Sequence, residues 1–600
     1  MKNISRKSFC FSAILSLLGT MGFKNMINQS GDSLSYSNSI TAFLLFSIWL
    51  YALVIATGPK YREKILPIIV PCFIFMLCFS GSMVAGVQLD NTGNVDFTNW
   101  ELYLSTLFVA LAASPILAVA IRKLEDFSIG NSGHVAVRSK KSFIVTWGIL
   151  FLSYIPTLLA SFPGFFTYDA EAESYMVFTE KYSTYQPLLH VLLLGWTLRI
   201  IYHFTQSYNA GIFVYTLVQM LVLSACFSYE ISFLRNNGVK RWICNLGTMF
   251  LALFPTVSMF VCCSTKDTLF SGGVILFTTL LLELAKNEEL FWSARHKKVL
   301  LSVSMLFILF LRNNGIYALV LFLLFFAFVY RKTWKKWLPT VTITFLVFIV
   351  SSQALIFAFH AKKGPLAEMF CVPMQQLARV YIQAEDTFTE EDAEILYSLI
   401  PQVILDDYNP KLADMVKRNF LEDNFKSSPG KYISLWFRTG IKHFDIYVNS
   451  FLENTYGYWY PDTIPDGYRG IWAAGRQYED SSYFAFGTEL PGERTSFLPP
   501  LERFYEKISL EIYQQRVPVI SMLFSIGFWH WVYIFAALFL LVTRHKKQAF
   551  ALSLIGLLYL TVLLGPIALV RYVLYLFFAV PLVMALLFDP VALCGKSENP

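Results

Sequence analysis

Four short stretches of this chain hold charged residues where apolar runs end, and their types suit proton transfer and anion binding. The first reads SFPGFFTYDAEAESYMVFTEKYSTYQPLLHVLLLGW, in which Pro163 and Gly164 stop a helix and Asp169 follows shortly after. A carboxylate held just outside hydrocarbon has one partly desolvated side, which raises its basicity and fits it to accept a proton. Glu171 and Glu173 come next, and each reads either as part of a solvated acidic loop or as a substrate contact. His190 lies beyond Gln186 and Pro187 and is either a packed histidine with one satisfied hydrogen bond or a binding residue. The second stretch, CCSTKDTLF, sets Lys266 beside Asp267, a pair that either marks the membrane interface or takes part in chemistry. In the third, FILFLRNNGIYALV, Arg312, Asn313 and Asn314 separate two short apolar runs, so they fall at a depth where polar groups are costly and functional by default. The fourth, GPIALVRYVLYLFFAVPLV, contains Arg571 and Tyr572 with no acid nearby; such an arginine needs an anion, and a lipid phosphate is one supplier.

The elements that must position these groups are membrane helices. With 56% hydrophobic and 15% charged residues, the 600-residue chain has more apolar surface than a soluble fold can bury. Its apolar runs approach the roughly 20 residues that cross a bilayer, and they number about fourteen. The fold class expected is therefore an all-α polytopic membrane protein with one extracytoplasmic α or α+β domain. The net charge of +7 sits at the ends of apolar runs, which excludes a nucleic-acid partner and makes the lipid bilayer the expected one. Nine cysteines, mostly within those runs, form no disulfide framework or zinc set. The basic start followed by an apolar stretch lacks a small-residue cleavage site and reads as a retained first helix.

Orientation follows from parity. If the apolar stretch Pro187 to Phe204 lies on the surface instead of crossing, the basic connectors, from Lys2 and Arg6 through Arg138, Arg235 and Arg295 to Arg544, share one side. All four chemical stretches then face the other side. The division expected is a four-helix membrane extension at 1–142, a transmembrane core at 143–359 with its first outer loop at 163–209, an extracytoplasmic domain at 360–516, and C-terminal helices with a short cytoplasmic tail at 517–600. The protein is expected in the cell membrane as a multi-pass chain. In the outer domain, FLENTYGYWYPDTIPDGYRGIWAAGRQY interleaves Tyr456, Tyr458, Trp459, Tyr460 and Trp472 with Gly, Pro and Asp. Such aromatic faces beside carboxylates suit sugar rings, and they equally suit a membrane interface.

The order SFPGFFTYDAEAE, YQPLLH, STKD, RNNG and RYVLYLFFAVP resembles the GT-C superfamily of integral-membrane glycosyltransferases over about 143–588. PGFFTYDAE, LRNNGIY and NTYGYWYPD look closer still to an uncharacterised bacterial multispanning family of the DUF6020 type. The resemblance implies transfer of a sugar from a polyprenyl-phosphate donor to a glycan, glycolipid or protein acceptor at the outer face. Asp169 would take the acceptor proton, and Asp267 matches a second-loop acid. Arg571, with Arg312 and Lys266, would bind the lipid phosphate. Glu171, His190, Asn313, Asn314, Tyr572 and Trp459 complete the expected substrate contacts. The acid after Asp169 is not adjacent to it, a departure from members with paired acids. The sequence indicates no metal ligands and leaves a divalent cation open as cofactor. A flippase or transporter, or a polymerase of lipid-linked surface glycans, is the alternative; a transporter predicts broken helices in repeated halves, which the sequence does not display.

Overall fold

The computed structural model describes residues 5–28, 39–129 and 140–594, apart from 464, 471, 474, 475, 479, 480, 512 and 518. Lys2, Arg138, the side chain of Trp472 and the last six residues of the expected tail lie outside the described residues. Among the described residues the fold is predominantly helical, with one antiparallel pairing of two-residue strands, Trp472–Ala473 with Arg476–Gln477.

Among the described residues, seven helices are long and apolar enough to cross a membrane: Pro59–Thr92, Trp100–Ser128, Lys141–Ala160, Leu188–Thr205, Tyr208–Asn236, Lys266–Lys286 and Arg331–Ala358. Two bent pairs, Arg241–Leu253 with Pro255–Val261 and Val570–Phe578 with Val580–Phe588, raise the number to nine. The protein is a multi-pass membrane protein, but the expected fourteen spans are too many. Length explains the difference. Apolar runs such as Ile40–Ala56, Asn313–Val329 and Ile526–Val542 are helices of 10–17 residues, and 17 residues rise only about 25 Å against a hydrocarbon core of roughly 30 Å.

The stretch expected to lie on the surface is the helix Leu188–Thr205, which by length and composition qualifies as a crossing. Its contacts with Tyr208–Asn236 run from His190 on Tyr215, through Leu198 against Gly211, to Tyr202 stacked on Tyr208. All of these partners lie in the first turns of the longer helix.

Lys266–Lys286 is the central helix, with most of its residues buried between Tyr208–Asn236, Arg295–Leu311, Lys546–Val562 and Leu574–Phe578. Gly273 permits the closest approach, because a Cβ there would stand 2.5 Å from Cβ of Phe307. Trp334–Ala358, in contrast, buries only Trp337 and Thr344 and stands at the rim. The N-terminal helices Arg6–Asn28, Ser39–Ala56, Ile69–Thr92 and Trp100–Ile129 pack chiefly on one another, with a small core at Leu15, Leu53 and Ala112.

The 360–516 segment has its own core around Met374, Leu377, Tyr381, Leu396, Ile400 and Leu435, so it is a folded unit built of short helices. Thr389 caps Glu390–Tyr397 by accepting from the Asp392 amide at 3.1 Å, as the Thr-x-x-Asp spacing predicts. The unit is clasped to the N-terminal helices. Arg379 pairs with Glu453 at 2.5 Å and donates to the Gly93 carbonyl at 2.6 Å, while Asn449 bonds both backbone groups of Val95. The later part of the segment returns over the first loop as a strap: the amides of Glu489, Thr495 and Phe497 donate to the carbonyls of Phe166, Phe162 and Leu159, each at 2.8 Å.

Candidate functional site

Two loops are locked side by side by backbone. The Phe165 amide donates to the Cys262 carbonyl at 2.8 Å, and the Ser264 amide returns to the Phe165 carbonyl at 2.9 Å, a parallel bridge between Phe165 and Cys263. Because both chains leave the bridge in the same direction, Asp169 and Lys266, four and three residues further on, arrive together. Gly164 makes the approach tolerable: its φ of +136° and the 2.5 Å from its Cβ position to Oγ1 of Thr216 leave room for glycine alone. Tyr168 and Asp169 both take left-handed backbone angles, φ +60° and +72°, which aspartate accepts more readily than most residues. Tyr168 is pinned where its hydroxyl accepts the Ala485 amide at 2.7 Å from the strap.

Asp169 Oδ2 accepts from Lys266 Nζ and from Arg571 Nη1, both at 3.1 Å. Burial alone would raise the Asp169 pKa, but the two cations outweigh it and hold this carboxyl well below the usual carboxylate range. Its side chain stays 35% exposed, so a substrate can reach it. Lys266 is shared, with its Nζ also 3.2 Å from Glu173 Oε1. Behind it the contacts continue inward through the buried Glu173 to His190 Nδ1, from His190 Nε2 to the Tyr215 hydroxyl at 2.7 Å, and on to Gln219 at 3.2 Å. Gln219 in turn donates to the carbonyls of Val261 and Cys263, which returns the chain of contacts to the bridged loop.

Asp267 joins the other half of the cluster. It is almost fully buried in the first turn of Lys266–Lys286, where the helix dipole favours an acid. Oδ1 accepts from Arg312 Nη1 at 2.7 Å, and Oδ2 lies 3.8 Å from Arg571 Nε. Arg312 is the extended residue between Arg295–Leu311 and Asn313–Val329. Its Nε donates to Asn314 at 3.0 Å, and Asn314 donates to Thr561 at 2.8 Å. Tyr572 is the common aromatic face: Arg312 and Arg571 stand 4.6 and 4.8 Å from its ring centre, and Arg571 donates to its hydroxyl at 3.0 Å.

The structure therefore gathers Asp169, His190, Lys266, Asp267, Arg312, Asn314, Arg571 and Tyr572 from separate segments into one connected cluster. Three expected residues fall outside it. Glu171 is exposed; its amide donates to Glu489 Oε2 at 2.9 Å and its carbonyl accepts from the Ser174 hydroxyl at 3.0 Å. Asn313 is exposed and takes no part in the network. Trp459 packs beside the N-terminal helices, with its indole donating to Thr455 and its carbonyl accepting from Trp531.

Gln219, Tyr168 and Glu489 belong to the site and were not among the sequence candidates, while Glu173, which the sequence left open between a solvated acid and a substrate contact, is a buried partner of Lys266 and His190. A signal for Glu173 existed, since Asp169 and Glu173 stand four apart at a helix start, the spacing that puts both on one face. Glu489 carried none, because only the folded strap brings it to the loop. Burial, with a further contribution from Asp169, pushes the Glu489 carboxyl up to about 7. Among the described residues no group of three or more His, Cys, Asp or Glu could hold a metal ion.

No curated protein and no solved structure matches this chain. The model of a family of unknown function (DUF6020) matches residues 175–591, a stretch that includes His190, Lys266, Asp267, Arg312 and Arg571 and begins just after Asp169 and Glu173. With well over half of its length matched, the chain belongs to the DUF6020 family.

Proposed function

We propose that this chain is a membrane glycosyltransferase that moves a sugar from a polyprenyl-phosphate donor to an acceptor at the outer face of the cell membrane. The observation that carries this reading is the Asp169 carboxylate, open to solvent yet shared by Lys266 and Arg571. An incoming phosphate competes with Asp169 for those cations. As it draws them away, the carboxylate loses the partners that suppress its basicity, so donor binding itself readies the base. Asp169 then takes the proton of the acceptor hydroxyl as that oxygen bonds to the anomeric carbon. The bond from the anomeric carbon to the phosphate oxygen breaks, and the departing polyprenyl phosphate keeps the electron pair. Arg571 and Arg312 neutralise the charge that develops on it. Asp267, buried and paired, holds both arginines in place and does not meet substrate.

The test is transfer from a panel of labelled polyprenyl-phosphate sugars by the chain in nanodiscs. The wild type should transfer one of them and Asp169→Asn should not, while both insert and bind donor. Full transfer by Asp169→Asn would remove Asp169 from this role.

A second reading, transport of the same lipid-linked sugar, gains from two observations. Two helices are bent, by 56° and 41°, and at the second bend the buried Glu230 accepts the Leu582 amide at 3.2 Å. Intramembrane carboxylates at helix breaks are a feature of transporters. Movement of the labelled donor across a sealed vesicle without any new glycosidic bond would favour transport.

A further inference from the structure

Below the ion cluster an apolar groove of about 580 Å³ runs down between Asn313–Val329, Ile526–Val542 and Lys546–Val562. Its floor is buried, at Tyr533, Leu552, Ile555 and Tyr559, and its rims are exposed, at Phe325, Leu541 and Leu560. From His530 to Leu541 the groove follows twelve residues of helix, a length of about 16 Å. Gly556 lines it, and a Cβ added there would meet nothing within 4 Å, so the groove is open at that point.

The two ends differ. At the upper end Leu560 is followed by Thr561, whose hydroxyl accepts from Asn314, which accepts in turn from Arg312. From Thr561, the neighbour of the lining residue Leu560, two hydrogen bonds lead to the Arg312 guanidinium. At the lower end stands Lys546, at the start of its helix. Aromatic rings dominate the upper floor, where His530 stacks on Tyr559 at 4.2 Å between ring centres.

We propose that this groove holds the isoprenoid chain of an anionic prenyl phosphate, with the phosphate at Arg312. The inference rests on the reading of the cluster as the place of a lipid phosphate, and it adds where the chain of that lipid lies. Flat, methyl-branched isoprene units fit against planar rings, and a chain in this groove carries its phosphate to the cluster from within the bilayer. An ordinary phospholipid reaching up from Lys546 would use the same walls with the opposite polarity.

The experiment measures binding of tritiated farnesyl phosphate to the full chain in nanodiscs, with farnesol, inorganic phosphate and dioleoyl phosphatidylglycerol as competitors. Gly556→Trp, which fills the groove away from the cluster, should weaken farnesyl phosphate at least tenfold. Gly556→Leu should weaken it by less and guards against a folding defect, with thermal melting as the control. Arg312→Gln should weaken farnesyl phosphate and leave farnesol unchanged, whereas Lys546→Gln should affect neither. Unchanged binding in both Gly556 variants would overturn the proposal. So would loss of phosphatidylglycerol competition equal to the loss of farnesyl phosphate, or a loss confined to Lys546→Gln. If these binding results hold while no sugar transfer is found, the groove stands and the transferase reading alone fails.

Discussion

Two buried ion-paired regions of this protein are made from the same kinds of residue and behave differently. In the clasp of the 360–516 unit, Arg379 and Glu453 meet at 2.5 Å with almost no exposure, and Nη2 of the guanidinium is taken by Gly93 and Asn94. In the cluster, three cations and three carboxylates share partners over 2.7–3.8 Å, and one carboxylate is open. The clasp leaves almost no surface for a competitor to reach. The cluster can exchange Asp169 for another anion without stranding a charge, because the two cations on it, Lys266 and Arg571, each keep a second carboxylate. A closed pair suits a joint, and an over-shared set suits a site that must accept and release an anionic group.

That comparison can be broken by experiment. Asp169→Asn is expected to reduce transfer by 10²- to 10⁴-fold, the usual worth of a positioned base, about 3–5 kcal/mol of barrier. Its melting temperature should stay close to wild type, since Lys266 retains Glu173 and Arg571 retains Asp267. A large drop in melting temperature would show that the cluster is a joint as well. Glu453→Gln inverts the pattern: an uncompensated Arg379 should cost about 3–5 kcal/mol of stability, while donor affinity of the folded fraction is unchanged. Chemical unfolding followed by a binding assay reads both.

The strap offers a finer test. Glu489 titrates near 7 in the folded protein, above its unfolded value, so the native state binds the extra proton between about 4.5 and 7. Stability contributed there is therefore present at low pH and lost as pH rises through 7. Melting of the wild type should fall across that window, and Glu489→Gln, which still accepts from the Glu171 amide, should flatten the slope. The smallest effect belongs to an exposed pair, Arg199 with Glu180 at 3.0 Å, where Glu180→Ala should change stability by about 1 kcal/mol or less.

The sequence made the cluster partly legible for a simple reason. Asp169, Lys266, Asp267, Arg312 and Arg571 stand where apolar runs stop, and a charge at a helix end near hydrocarbon is conspicuous in any reading. What it hid was pairing. Glu173 looks like a loop acid and is a buried partner of His190, seventeen positions away, while Glu171 looks equivalent and is exposed. Trp459 looks like a sugar-binding ring and is packed beside Trp531. Span number was overread because hydropathy does not report where a helix bends or stops short, as at Phe254 or Arg312. The broken helices that the sequence did not display follow from the same blindness.

The backbone bridge between Phe165 and Cys263 works as a ruler. It sets the reach of the two loops by counting residues and ignores what their side chains are. Adding or removing one residue between Phe165 and Asp169 would displace the carboxylate by about 3.3 Å, more than the tolerance of any contact it makes. Length in these two short segments is thus a constraint in its own right, added to that of composition. Variants that reshape the acceptor side of the site must keep the count from bridge to carboxylate as well as the buried Phe166 and Thr167 and the Tyr168 hydroxyl that accepts the Ala485 amide.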